Sequence, residues 1–206
     1  NALDQSLLLI HEQTNTDSLF LQGYEEFTAS VESNLGEAYY LDPQVNHFPQ
    51  SLEHYEKALE IYKFLLQDET QVLPPNDQIN RKLAFARINA KVGMTRLQMH
   101  PSYAKSIVGN GMPGEYLDSV TKLLNPKEDT QDSLGPAKEA FAAAIDIFHP
   151  HCEELSIKDD PAFFVQTCLD YVSTLQYAAT AESTSGNLPK AEQYMIKALE
   201  MYFGDE

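Results

Sequence analysis

Side chains able to bind a metal or move a proton gather most densely at His149-Pro150-His151-Cys152-Glu153-Glu154. Imidazole, thiolate and carboxylate are the donors zinc takes, but a site needs ligands converging in a fixed geometry, and no second ligand pair or Cys-x-x-Cys occurs elsewhere. The run therefore reads as a capped helix end, and no metal or cofactor is expected. The glycine-rich Gly109-Asn110-Gly111-Met112-Pro113-Gly114 lacks the Gly-Lys-Ser/Thr that grips phosphates and reads as a turn. The carboxylate pairs Glu25-Glu26 and Glu153-Glu154 are adjacent, so each points to two sides of a helix and reads as solvated charge. No Ser/His/Asp or Cys/His set is recognisable, and the chain is expected not to be an enzyme. A helical metal enzyme using His149 to Glu154 ranks third among the readings.

The elements carrying these residues are organised around one echo. Lys57-Ala58-Leu59-Glu60 recurs as Lys197-Ala198-Leu199-Glu200, 140 residues on, and the same offset carries Ser51 onto Ala191 and Tyr62 onto Tyr202. A third copy places Ala137, Phe141, Ala144 and Phe148 where Ser51, Tyr55, Ala58 and Tyr62 stand. Small residues seven apart, with large ones between and beyond, make one close-packing stripe on a helix, because positions three and four apart share a face. Upstream of each copy lie small residues where a first helix can approach closely: Leu35-Gly36, Val92-Gly93 and Ala178-Ala179, the last followed by the turn Ser185-Gly186-Asn187.

This pattern resembles the tetratricopeptide repeat family, in which a small-residue first helix packs against a second helix carrying alanine seven residues after another small residue. The resemblance implies an all-α fold: antiparallel helix pairs stacked as a short right-handed α-solenoid with long helices. It implies one domain over 1–206, with units at about 17–67, 78–149 and 161–203 and an insertion at 98–135. The family repeats about every 34 residues; here Ala58 to Ala144 spans 86 and Ala144 to Ala198 spans 54. Family members that clamp acidic chaperone tails use lysine, asparagine and arginine on the inner faces of first helices. The matching positions are Ser33, Glu37, Lys91, Ser173 and Tyr177, of which only Lys91 suits an anion. The groove is expected instead to take a mixed polar and apolar helix or loop through Glu37, Tyr40, Arg87, Met94, Gln176 and Thr180.

Composition narrows the partners. A chain of 206 residues with 43% hydrophobic and 22% charged residues suits one soluble helical domain with its own core. Its 31 acidic against 14 basic residues give a net charge of −17, which repels phosphate backbones and anionic lipids. Nucleic acid and direct membrane insertion are excluded as expectations; basic or amphipathic protein segments fit, as does a plain solubilising surface. Two cysteines, Cys152 and Cys168, are too few for a disulfide framework. No Asn-x-Ser/Thr acceptor occurs, and apolar runs such as Leu7 to Ile10 are too short to span a bilayer. The start at Asn1 reads either as a mature terminus left by removal of a targeting segment, which places the chain in an organelle, or as a fragment start, with the cytoplasm as default.

Along the chain, Thr16-Asp17 is the expected cap of a long helix whose buried stripe is Phe20, Tyr24, Phe27, Val31, Leu35 and Ala38, ending near Asp42-Pro43. Pro49 opens a helix to Gln67. A connector at 68–77 leads, with Asn76 or Asp77 as cap, into a helix over 81–99 using Leu83, Ile88, Val92 and Leu97. A short helix is expected at 115–124. The second echo ends at Pro150, a helix runs over 162–183, and the last starts at Pro189.

The leading reading is a non-catalytic scaffold, an accessory subunit of a hetero-complex. The chain closes at Glu206 directly after a second-type helix, so Met195, Leu199 and Tyr202 are expected at a docking surface beside the groove and Lys91. A transient adaptor or co-chaperone, steered by charge, is the alternative.

Overall fold

The computed structural model describes residues 18–42, 47–68, 73–103, 134–154 and 161–203. These residues hold six long helices and no strand: α1 Ser18–Leu41, α2 Phe48–Gln67, α3 Pro75–Gln98, α4 Gly135–Glu154, α5 Pro161–Thr184 and α6 Leu188–Phe203. The Thr16-Asp17 cap, the glycine-rich turn, the 115–124 helix and most of the 98–135 insertion lie outside the described residues. Each helix packs on the next in sequence, and α3 also touches α5.

Prolines set several starts. Pro49 sits in the first turn of α2, and α3 opens on Pro75, whose fixed φ and missing N–H suit a first helical position. This corrects the expected start at 81: the Asp77 and Gln78 amides already donate to the Pro74 carbonyl at 3.0 and 3.1 Å, so Asn76 and Asp77 lie inside the first turn. Asp77 there favours the positive end of the helix dipole rather than capping it.

Pro150 does not end α4, contrary to the expectation; the helix continues to Glu154. Proline removes one ladder bond and crowds the preceding turn. Phe148 and Cys152 on either side of it are buried in one apolar cluster with Leu83, Tyr171 and Leu175, and that packing holds the last turn helical. The join of α5 to α6 is the expected one. Gly186 takes φ +86°, the Asn187 amide donates to the Glu182 carbonyl at 2.8 Å, and the Gly186 amide donates to Ser183 at 3.0 Å. Those two bonds satisfy the last carbonyls of α5 in a Schellman turn, and only glycine enters that backbone region without strain.

The echo residues of α2 and α4 build the core. Ser51, Tyr55, Ala58 and Tyr62 are buried, as are Ala137, Phe141, Ala144 and Phe148. Their aromatic members sit on glycines: a Cβ at Gly36 would lie 2.7 Å from ring atoms of Tyr55, and one at Gly93 2.7 Å from Phe141. No side chain fits at such distances, so these glycines are seats for the rings. Ser51 adds a hydrogen bond of 2.8 Å to the Gly36 carbonyl, tying α2 to the same spot.

The α1 stripe departs from expectation. Phe27 is 58% exposed and Ala38 is exposed, whereas Ala29 and Gly36 are buried. The buried line passes through those two small residues because α2 lies closely against them, leaving the bulkier apolar side chains at the rim.

Polar side chains tie α3 to the helices around it. Arg81, buried on α3, donates to Glu26 of α1 at 2.6 Å and to the Leu65 carbonyl of α2 at 3.1 Å. Lys91 of α3 pairs with Glu37 of α1, and Arg87 of α3 pairs with Asp170 of α5 at 2.6 Å. Glu26 was expected to be solvated charge; it is instead the acceptor for a buried arginine.

Glu182 plays the same part at the other end. Its buried carboxylate accepts from Lys138 of α4 at 2.9 Å, from Lys190 of α6 at 3.2 Å and from the Asn187 side chain at 3.0 Å. Burial works to raise its pKa, but the bonds from Lys138 and Lys190 outweigh that and hold the carboxyl below its usual range. Glu37 is lowered in the same way, burial being overcome by Lys91 and Tyr55. Glu25 moves the other way, raised by burial and by Asp68.

A carboxyl with a depressed folded-state pKa contributes stability that is present above its unfolded value and is lost as pH falls through the folded one. Stability is therefore expected to decline from about pH 5 downward. Glu182→Gln should cost about 2 kcal/mol at pH 7, discounted for the partly exposed lysines, and should flatten that decline. Urea denaturation at pH 7, 5 and 3.5 checks it; an unchanged pH slope in the variant would contradict the assignment.

Candidate partner-binding surfaces

Two surfaces collect most of the residues expected to bind. The first is a cleft of about 390 Å³ between α3 and α5. Arg87, Lys91 and Met94, spaced three and four apart on α3, line one wall, and Gln166, Asp170 and Ser173 on α5 line the other. Asp170 was not anticipated, because its partner Arg87 is 83 residues away.

Both cations in this cleft are already neutralised, Arg87 by Asp170 and Lys91 by Glu37. Glu37 also accepts from the Tyr55 hydroxyl at 2.8 Å, and burial with that carboxylate pushes the Tyr55 phenol up. An incoming carboxylate would have to displace Asp170 or Glu37, so the cleft does not present a bare anion site. Tyr40 accepts a hydrogen bond from Gln98 and tilts against Phe48 with ring centroids 5.8 Å apart, which makes it a bridge between helices. Gln176 is exposed on α5 and lines neither surface, while Tyr177 stacks on Phe141 at 6.5 Å.

The second surface lies along α6. Met195, Leu199 and Tyr202 are 42%, 51% and 63% exposed, and Leu188, Ile196 and Phe203 extend the same arc. At 100° per residue these six fall within roughly a third of the helix circumference, and the buried Ala191 and Ala198 border that arc on one side. The apolar sector of this helix is therefore continuous, covered along one edge and open along the rest. Periodicity revealed three members of the exposed arc; Leu188, Ile196 and Phe203 were missed because they fall at none of the repeated positions. Beside it runs a groove of about 600 Å³ lined by Thr180, Ser183, Leu188, Ala191, Glu192 and Met195, which joins Thr180 to the α6 face rather than to the α3/α5 cleft.

The histidine run is distributed over packing roles. His149 lies 3.1 Å from Glu153 and 3.1 Å from Lys197, and its ring stacks on Tyr171 at 6.0 Å. Cys152 faces the core, where burial and the neighbouring Cys168 push its thiol up, away from the thiolate a metal or nucleophile requires. Among the described residues, no three His, Cys, Asp or Glu side chains come together to hold a metal, and no helix is long and apolar enough to cross a membrane.

Compared with protein-family models, with curated proteins and with solved structures, the chain matches none.

Proposed function

We propose that this chain is a non-catalytic protein-interaction scaffold, a short right-handed α-solenoid of three tetratricopeptide-like helix pairs that serves as an accessory subunit of a larger assembly. The pairs are α1 with α2, α3 with α4, and α5 with α6, and the α3/α5 contact fits first helices lining one side. The single observation that carries the functional part is the exposed apolar arc of α6. Monomeric proteins rarely display so many large apolar side chains in one contiguous patch, and patches of this kind mark interaction sites. The α3/α5 cleft, with its internally paired charges, is a second, more polar contact surface.

The net charge of −17 favours a second reading, a transient adaptor steered electrostatically to basic partners. Salt separates the two, since an apolar interface survives high ionic strength and an electrostatic encounter does not. The test is to isolate the protein with its partners from its native source and wash at low and then high salt. Partners held at high salt by the wild-type chain, and lost from a Met195→Asp, Leu199→Asp variant, are expected; partners lost on salt alone would favour the adaptor.

A further inference from the structure

We propose that the exposed face of α6 seats a partner helix that runs antiparallel to it, carries small residues along its contact stripe and places a lysine or arginine beside Glu192. The inference rests on the scaffold reading and adds to it the chemistry of the partner.

The template is inside the molecule. Helix α4 receives α5 antiparallel: Phe148 lies against Tyr171 with ring centroids 6.4 Å apart, and Phe141 stacks on Tyr177 and shares a buried cluster with Ala178 and Ala181. Beyond Phe141, Lys138 reaches Glu182 of α5 at 2.9 Å and Ser185, in the turn that follows α5, at 2.6 Å. A shift of 54 residues carries Ala137 and Ala144 onto Ala191 and Ala198, which are buried likewise. It also carries Phe141, Ile145 and Phe148 onto Met195, Leu199 and Tyr202, which are exposed. Helix α6 thus repeats the face that α4 uses to hold a following helix, and there its large apolar side chains stand exposed.

One position is inverted. The shift puts Glu192, an exposed carboxylate within the apolar arc, where α4 has Lys138. The helix on α4 meets its lysine with Glu182; a helix on α6 meets Glu192 with a cation. Small residues on the incoming helix follow from the same template, since Ala178 and Ala181 are what lets α5 close on Phe141. A second copy of this chain fits poorly, because each copy brings a charge of −17 and another α6 face brings a second Glu192 rather than a cation.

The probe is a synthetic peptide of residues 161–187 carrying Glu182→Lys, compared with the unaltered peptide. The full chain is labelled at its methionine, leucine and isoleucine methyl groups and titrated by NMR. Saturable shifts at Met195, Ile196 and Leu199 are expected, with the lysine peptide binding about fivefold more tightly than the glutamate one. Glu192→Lys in the chain should reverse that preference. Binding indifferent to the charge exchange, absence of any saturable shift, or shifts that follow chain concentration without peptide would overturn the proposal, the last by making a second copy the occupant. A native partner held through Met195 and Leu199 but lacking a basic helix there would sink this inference and leave the scaffold reading standing.

Discussion

Phe141→Ala is expected to cost about 3–5 kcal/mol, a large share of the roughly 5–15 kcal/mol that holds a domain folded. The ring is 1% exposed, stacks on Tyr177 of α5 and lies against Gly93 of α3, so its removal empties the junction of three helices. The informative measurement is a cycle with Gly93→Ala. Alone, that methyl would stand 2.7–2.9 Å from three ring carbons of Phe141 and force the ring or the helix to move. Overpacking of this sort costs about 1–3 kcal/mol, even though alanine is the better helix former by about 1 kcal/mol. In the Phe141→Ala background the obstruction is gone, and the same methyl should be neutral or stabilising. Urea denaturation followed by helical circular dichroism gives the four free energies; equal Gly93→Ala costs in both backgrounds would show that glycine and ring are not a seat and its occupant.

Arg81→Ala is expected to destabilise by about 3 kcal/mol. Its side chain is 4% exposed and spans three helices, to Glu26 on α1 and to the Leu65 carbonyl on α2 from its own place on α3. Truncation strips a buried carbonyl of its donor and leaves a cavity along the long apolar stem. Glu26 is 44% exposed and can turn to water, which keeps the cost below that of stranding a fully buried charge. Arg81→Lys should lie between wild type and alanine, because an ammonium keeps the charge but loses the fork that serves two acceptors at once. A loss under 1 kcal/mol for alanine would mean that the arginine is a surface residue in solution.

How much of this is legible in one sequence follows from the range of each interaction. The seats at Gly36 and Gly93 and the rings of Tyr55 and Phe141 can be read directly, since small and aromatic residues keep a fixed helical spacing. The turn at Gly186-Asn187 is legible because its chemistry is local. Arg81 is not, since an arginine on a helix is ordinarily solvated and both its acceptors lie on other helices, one of them a backbone carbonyl.

Pro150 misleads for a related reason. The proline rule is local, whereas the burial of Phe148 and Cys152 that overrides it comes from α3 and α5. Phe27 errs in the opposite direction, because periodicity marks an apolar face without saying how far the neighbouring helix covers it. Of the expected binding residues, Arg87, Lys91 and Met94 meet in one cleft, and Thr180 and Met195 in one groove, with Leu199 and Tyr202 continuing along the same face of α6. Glu37 and Tyr40 serve to link helices, their tie to α3 being invisible across 54 and 58 residues.

Whether α6 offers a docking face or a misplaced piece of core is decided by one side-by-side measurement. Thermal unfolding of wild type and of the Met195→Asp, Leu199→Asp variant is followed by circular dichroism, alongside the high-salt retention of native partners by each. The expected result is unfolding curves within a few degrees of each other, because exposed side chains contribute little to the fold, together with loss of the partner from the variant alone. A variant that unfolds, or one that keeps the wild-type partner, would contradict the account: the first makes these residues ordinary core, and the second places the interface elsewhere.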